Sequence, residues 1–195
     1  MRDQRTSLRE VTRDAVRARI SATAIDLFAE HGFDEVTVEQ VAAEVGISTR
    51  SFNRYFPAKE DAVIGDTAAW GEHVREALVA RPLDEPVWDS LRHSFLSLLA
   101  LSDAHDDRQK RAIRVLGSTP SLRARNLEKH LQWEQLLSPV VASRSRGDDA
   151  EVRARAIVQS SLACFDVAIA TWARRDETRS PAQLVTACFA ALRDS

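Results

Sequence analysis

Apolar residues recur at spacings of three and four along most of the chain, and nowhere is a strand-like alternation sustained. Val16, Ile20, Ala24, Leu27 and Phe28 form one stripe, which predicts a first helix over roughly 13–31, stopped by Gly32 in a left-handed conformation. In VTVEQV, Thr37 can cap a second helix and Gln40 can close a capping box. Val36 and Val41 stand at the two positions of a hydrophobic staple. That helix is short and ends at Gly46; Ser48 is placed to cap a third, running to about Tyr55. Pro57 interrupts and opens a fourth, predicted to run unbroken through AKEDAVIGDTAAWGEHVREAL, with Glu60 and Asp61 at its positive end. ARPLDEP is a linker, VWDSLRHSFLSLLAL is strongly amphipathic, and DAHDD is a polar turn. KRAIRVL, SLRARNLEKHLQWEQLLSPVVASR, EVRARAIVQSSLACFDVAIATWARR and PAQLVTACFAALR supply the remaining helices. The expected fold is all-α, about nine helices, with a boundary in the fourth helix that separates residues 1–60 from 61–195.

A chain of 195 residues can bury roughly 70% of its unfolded surface, so disulfides are unnecessary. Cys164 and Cys188 both fall in apolar helical patterns and are read as reduced core thiols, without a metal or redox role. The charged start MRDQRTSLREVTRD lacks the apolar stretch of a signal peptide, and no segment approaches 18 uninterrupted apolar residues. A cytoplasmic protein without a membrane partner is expected. Formal net charge is −2, yet its distribution is uneven. Residues 1–20 hold six arginines against Asp3, Glu10 and Asp14; residues 47–59 hold Arg50, Arg54 and Lys59 and no acid; residues 26–44 hold six acids and no Lys or Arg. Folding that gathers the basic stretches on one face would present phosphate with a positive surface on an acidic molecule.

Two short helices joined by a tight turn at Gly46 are the parts of a helix-turn-helix. Ala42 is small where the helices cross, and Ile47 and Phe52 are placed to pack on Val41 and Val45. The opposite side of the third helix then presents Thr49, Arg50, Asn53 and Arg54, all able to reach base edges or phosphates. From about Arg13 to Ala62, FAEHGFDEVTVEQVAAEVGISTRSFNRYFPAKED resembles the Tet repressor (TetR) family of bacterial transcription regulators. The resemblance implies that Thr37 bonds phosphate, that Arg50, Ser51 and Asn53 face bases, and that Tyr55 and Lys59 hold flanking phosphates, with Ser48 beside them. Asn53 departs from the family, which usually has tyrosine there. For Tyr55 the alternative is a buried aromatic, and for Lys59 a solvated helix-start lysine.

The same resemblance implies a second helical domain with a small-molecule pocket and a two-fold seam made by the last two helices. Leu162, Phe165, Ile169, Trp172, Leu184, Cys188, Phe189 and Leu192 are the expected seam, because helices apolar over a broad arc are buried on two sides; the alternative is an ordinary monomer core. GSTPSLRARNLEKHLQWEQLLSPVVASR is similar to an actinobacterial branch regarded as acyl-CoA-like ligand binders, which includes regulators associated with mycofactocin genes. Trp70, His73, Trp88, Phe95, Leu99, Leu116, His130, Trp133 and Phe165 are the candidate pocket lining, with core packing the alternative for His130 and Trp133; Arg123, Arg125 and Lys129 face either a nucleotide phosphate or solvent. The expected partners are double-stranded operator DNA, a small effector and a second copy of the chain, with no cofactor. No G-x-S-x-G, phosphate loop or H-E-x-x-H is present, so catalysis is not expected. The competing reading is a helical scaffold that uses its helix-turn-helix only as packing.

Overall fold

A computed structural model describes residues 8–65, 67–101, 107–145 and 147–193. Ten helices occur among them: α1 (Leu8–His31), α2 (Val38–Val45), α3 (Thr49–Tyr55), α4 (Asp61–Ile64), α5 (Thr67–Val79), α6 (Val87–Leu99), α7 (Asp107–Leu116), α8 (Pro120–Ala142), α9 (Ala150–Trp172) and α10 (Pro181–Arg193). The charged start up to Ser7, including Arg2 and Arg5, and most of the DAHDD turn lie outside the described residues.

The capping chemistry of α2 follows the sequence. Thr37 accepts from the Gln40 amide at 3.3 Å, and Gln40 accepts from the Thr37 amide at 2.7 Å. Val36 and Val41 are both buried, and Gly46 ends the helix at φ 81°, a left-handed conformation that glycine adopts without steric cost. Ser48 caps α3 by accepting from the Ser51 amide at 3.1 Å.

The predicted fourth helix is not continuous. After the single turn of α4, Gly65 takes φ 79° and ψ −156°, a backbone state open essentially to glycine alone, and α5 starts afresh at Thr67. A Cβ at Gly65 would lie 2.6 Å from the Trp70 ring, so the glycine also admits the indole that lies against the break. This split gives ten helices where the pattern predicts nine, and α1 also starts at Leu8 rather than near Arg13.

Two apolar clusters divide the molecule. One gathers Ile20, Ala24, Phe28, Phe33, Val41, Phe52, Phe56 and Val63 from α1 to α4 and their connections. The other gathers Val74, Leu91, Phe95, Trp133, Leu137, Val158, Phe165, Trp172, Val185 and Phe189 from α5, α6 and α8–α10. Three residues of α7 and α8 cross this division: Val115 and Leu122 are buried in the first cluster, and Leu116 packs against it. Helix α8 therefore starts in one core and, about 35 Å long, runs into the other. Close approach of α5 to α8 requires Gly71, where a Cβ would lie 2.7 Å from the Trp133 indole nitrogen; that nitrogen donates to the Thr67 carbonyl at 2.9 Å. Helix α9 is long and apolar enough to cross a membrane by composition, but it is packed between α8 and α10 here.

Candidate nucleic-acid interface and effector region

Phe52 is fully buried and fixes the inner side of α3. On the outer side Arg50, Asn53 and Arg54 are exposed, with Thr49, Ser51 and Tyr55 half-buried at the margins. The Ser48 and Ser51 hydroxyls lie 3.0 Å apart, and the Ser48 oxygen already accepts from the Ser51 amide. Exposed Thr37 likewise accepts through its oxygen, which leaves its hydroxyl proton free to donate outward. Arg54 stands 5.3 Å from the centroid of the Tyr55 ring, while Tyr55 also packs against the first core. The result is an exposed cationic and amide-bearing strip one short helix long, rigidly backed by apolar residues. Such a strip can form bidentate bonds to base edges in a major groove.

Lys59 differs from the other predicted contacts. Its ammonium donates to the Phe33 carbonyl at 2.7 Å and the Val36 carbonyl at 3.0 Å, and it lies 4.2 Å from the Phe33 ring centroid. It is half-buried and ties the chain after α3 to the connection between α1 and α2. The spacing of an F-P-x-K word does not disclose this brace, because its acceptors are carbonyls more than twenty residues away.

The predicted pocket lining separates into several groups. Phe95, Trp133 and Phe165 are buried against one another, with ring centroids 4.8 Å apart for Phe95–Phe165 and 6.4 Å for Phe95–Trp133. Trp88 donates from its indole to the Phe189 carbonyl at 2.9 Å, and Leu99 packs against the same core. Leu116 is a correction: it belongs with the first core. His73 is 3.1 Å from the Ser97 hydroxyl, and Trp70 is 41% exposed at the α4–α5 break. Arg123 donates to the Gly117 carbonyl, and Arg125 is bound to Asp61 and Glu128, so neither guanidinium faces the second core.

A polar knot lies between α8 and α9 instead. His130 Nε2 is 3.0 Å from Asp166 Oδ2, and the same oxygen accepts from Asn126 Nδ2 at 3.2 Å. Asn126 Oδ1 is buried without a hydrogen-bond partner. Lys129 has its ammonium 5.3 Å from the Trp133 ring centroid; burial pushes its pKa below the usual lysine range, and the charge of Asp166 partly opposes that shift. The sequence presents these groups at 126, 129, 130 and 133, one helical face, but gives no sign that Asp166 joins them.

Most of the expected seam turns inward. Leu162, Phe165, Trp172, Leu184 and Phe189 are buried in the chain's own core, and Ile169 and Cys188 are half-buried against it; Leu192 alone of the set is well exposed. Amphipathicity marked these helices as apolar without telling which apolar face turns inward. The faces that remain open carry Val152, Ala156, Gln159, Ala163, Val167 and Ala170 on α9, and Gln183, Ala187 and Ala190 on α10. Beside them a shallow groove of about 770 Å³ is lined by Trp88, Ile157, Ser160 and Leu192 together with Pro86, Asp89, Ala156 and Arg193. Cys164 and Cys188 are free thiols, each with its pKa pushed up by burial.

A docked recognition helix on a small helical unit, joined to a larger helical domain, defines a helix-turn-helix transcription regulator. Residues 20–63 match the bacterial regulatory proteins of the tetR family, and residues 85–195 match the MftR C-terminal domain. The chain belongs to the TetR family of transcriptional regulators, with a second domain of the MftR type. It is 28% identical over 170 residues to the protein described as the mycofactocin biosynthesis transcriptional regulator MftR of Mycobacterium tuberculosis, covering 87% of this chain and 85% of that one. It is also 28% identical over 169 residues to the HTH-type transcriptional regulator TcmR of Streptomyces glaucescens, covering 83% and 75%. Among solved structures, Thermus thermophilus FadR, a TetR family transcriptional repressor in complex with lauroyl-CoA, superposes with TM-score 0.54 at 23% identity, covering 91% of this chain and 93% of that one.

Proposed function

We propose that the chain is a cytoplasmic repressor that binds a pseudo-palindromic operator as a homodimer and is released by an amphipathic effector with an anionic head, an acyl-CoA being the favoured class. The observation that carries the DNA-binding part is the exposed Arg50, Asn53 and Arg54 strip on a helix anchored by buried Phe52. A scaffold that used the helix-turn-helix only as packing would have no need of that strip in solvent. Small residues on the open faces of α9 and α10 support the dimer, since helices bearing alanine at the contact can approach at the short end of the 8–10 Å range. The polar knot at Asn126, Lys129, His130 and Asp166 supports an effector whose anionic group meets Lys129 and whose chain lies among the neighbouring aromatics. Lauroyl-CoA in the T. thermophilus FadR structure points to the same ligand class.

The test uses the DNA upstream of the protein's own gene. The chain shifts that fragment in a gel at nanomolar to micromolar concentration, and lauroyl-CoA lowers the affinity about tenfold, equivalent to about 1.4 kcal/mol of coupling. By reciprocity, the operator weakens lauroyl-CoA binding by the same factor. Free coenzyme A, lacking the chain, has little effect. Unchanged operator affinity and unchanged melting temperature with lauroyl-CoA exclude the acyl-CoA assignment while leaving DNA binding intact.

A further inference from the structure

The TPSLRAR word is not explained by a ligand contact, because Leu122 and Arg125 turn toward the DNA-binding unit. Thr119 caps α8, Leu122 is fully buried in the first core, and Arg125 reaches back to α4. Its guanidinium donates to Asp61 Oδ1 from Nη2 at 2.8 Å and from Nε at 3.2 Å. The other oxygen of the same carboxylate, Oδ2, accepts from the Ala58 amide at 3.0 Å. One carboxylate thus joins α8 to the short connection that follows the recognition helix.

That connection is otherwise held by hydrogen bonds within the DNA-binding unit, while α4 also packs against α7. Lys59 holds the carbonyls of Phe33 and Val36, and the Ser21 hydroxyl on α1 donates to the Ala62 carbonyl at 2.6 Å. It therefore moves with α3, and Arg125 is the polar contact through which α8 grips it, beside the apolar contacts of Val115 and Leu122. A second pair, Arg111 with Asp26 at 3.0 Å, ties α7 to α1 of the same unit. Because α4 and α5 are separated at Gly65, no continuous helix carries orientation between the two domains on that route. Arg125 also donates to Glu128 on its own helix at 2.6 Å, so it retains a partner when Asp61 is withdrawn.

We infer that Arg125 and Asp61 are positioning residues for operator recognition: their pair fixes the angle of the recognition helix relative to α8, and through it the half-site spacing that the dimer accepts. The inference rests on the dimer reading given above. Arg125 is 44% exposed, so the pair contributes little to stability, and its effect appears in geometry. One added base pair displaces a half-site by roughly 3.4 Å and rotates it by roughly 35°, an error that a fixed recognition helix cannot absorb and a pivoting one can.

The experiment selects an operator from random duplexes with the unmodified chain, then measures affinity for that operator and for versions with one base pair added or removed between the half-sites. Asp61→Asn keeps an oxygen for the Ala58 amide and removes the charge facing Arg125; Arg125→Ala removes the pair from the other side. The unmodified chain discriminates against altered spacing by at least thirtyfold. Both variants fall to threefold or less, with affinity for the selected spacing reduced only a few-fold and melting temperature within a few degrees. Glu128→Gln, which leaves the Asp61 contact intact, keeps the original discrimination. Variants that discriminate as strongly as the unmodified chain overturn the inference and leave the dimer reading standing. Indifference of the unmodified chain to spacing overturns both.

Discussion

At the scale of single residues, Arg50 and Lys59 look alike in the sequence and different in the structure. Arg50 is exposed on the outer side of α3, whereas the Lys59 ammonium is held by two carbonyls. Arg50→Ala is expected to weaken specific binding by about 1–3 kcal/mol and to relax discrimination at one base pair, without changing the melting temperature. Lys59→Ala loses two charge-assisted bonds and lowers the melting temperature by several degrees, while the salt dependence of DNA binding keeps its slope. A slope flattened by about one unit, with the melting temperature unchanged, would instead make Lys59 a phosphate contact. Lys129 gives a third residue-level expectation. Its folded pKa lies below that of the unfolded chain, so between the two the unfolded chain binds more protons and stability rises with pH. At neutral pH the buried charge is a net cost, and Lys129→Met therefore raises the melting temperature in the absence of ligand. If the ammonium receives the effector's anion, the same variant loses the response to lauroyl-CoA; a retained response would remove Lys129 from the site.

At the scale of elements, the helix-turn-helix was the most legible part of the chain. Its signals are local: a capping box closed within three residues, a staple across five, and a glycine at the turn. What sequence reasoning missed depends on distant partners. The break at Gly65 was signalled by a glycine inside an apolar run, but the Trp70 ring that occupies the space of its absent side chain belongs to the next helix. The inward turn of Leu162, Phe165 and Phe189 depends on which neighbours α9 and α10 find, and periodicity gives the stripe without its direction. Arg125 reads as a solvated or phosphate-binding base until its partner, sixty-four residues earlier, is known. The reassigned seam makes its own prediction. Ala163→Arg on the open face of α9 shifts the chain to a monomer in sedimentation without unfolding it, whereas Ile169→Ala, nearer the core, lowers stability and leaves the association state unchanged. A dimer that survives Ala163→Arg would move the seam elsewhere.

At the scale of the whole molecule, the formal charge of −2 and the basic recognition strip are reconciled by segregation. Acids of α1 and α2 lie outside the strip, and one of them, Asp26, is paired with Arg108 and Arg111 of α7. The two cores are joined by α7 and the first turns of α8 more than by the α4–α5 segment, so domain orientation depends on buried Val115 and Leu122 and on three ion pairs, two to Asp26 of α1 and one to Asp61 of α4. Lys129 and His130 lie one helical turn beyond Arg125, about 6 Å along the α8 axis. An effector that engaged them would act on the same rigid element that grips Asp61, which is a short physical route from ligand to recognition helix.

In the proposed function, two copies of the chain read one operator. Sedimentation of a labelled duplex from upstream of the protein's own gene, titrated with the purified chain at about 0.15 M salt, tests it most directly. The expected result is a single specific complex of two chains per duplex, formed without a one-chain intermediate and shifted to higher protein concentration with Arg50→Ala. A stable complex of one chain per duplex, or equal binding to unrelated DNA, would contradict it.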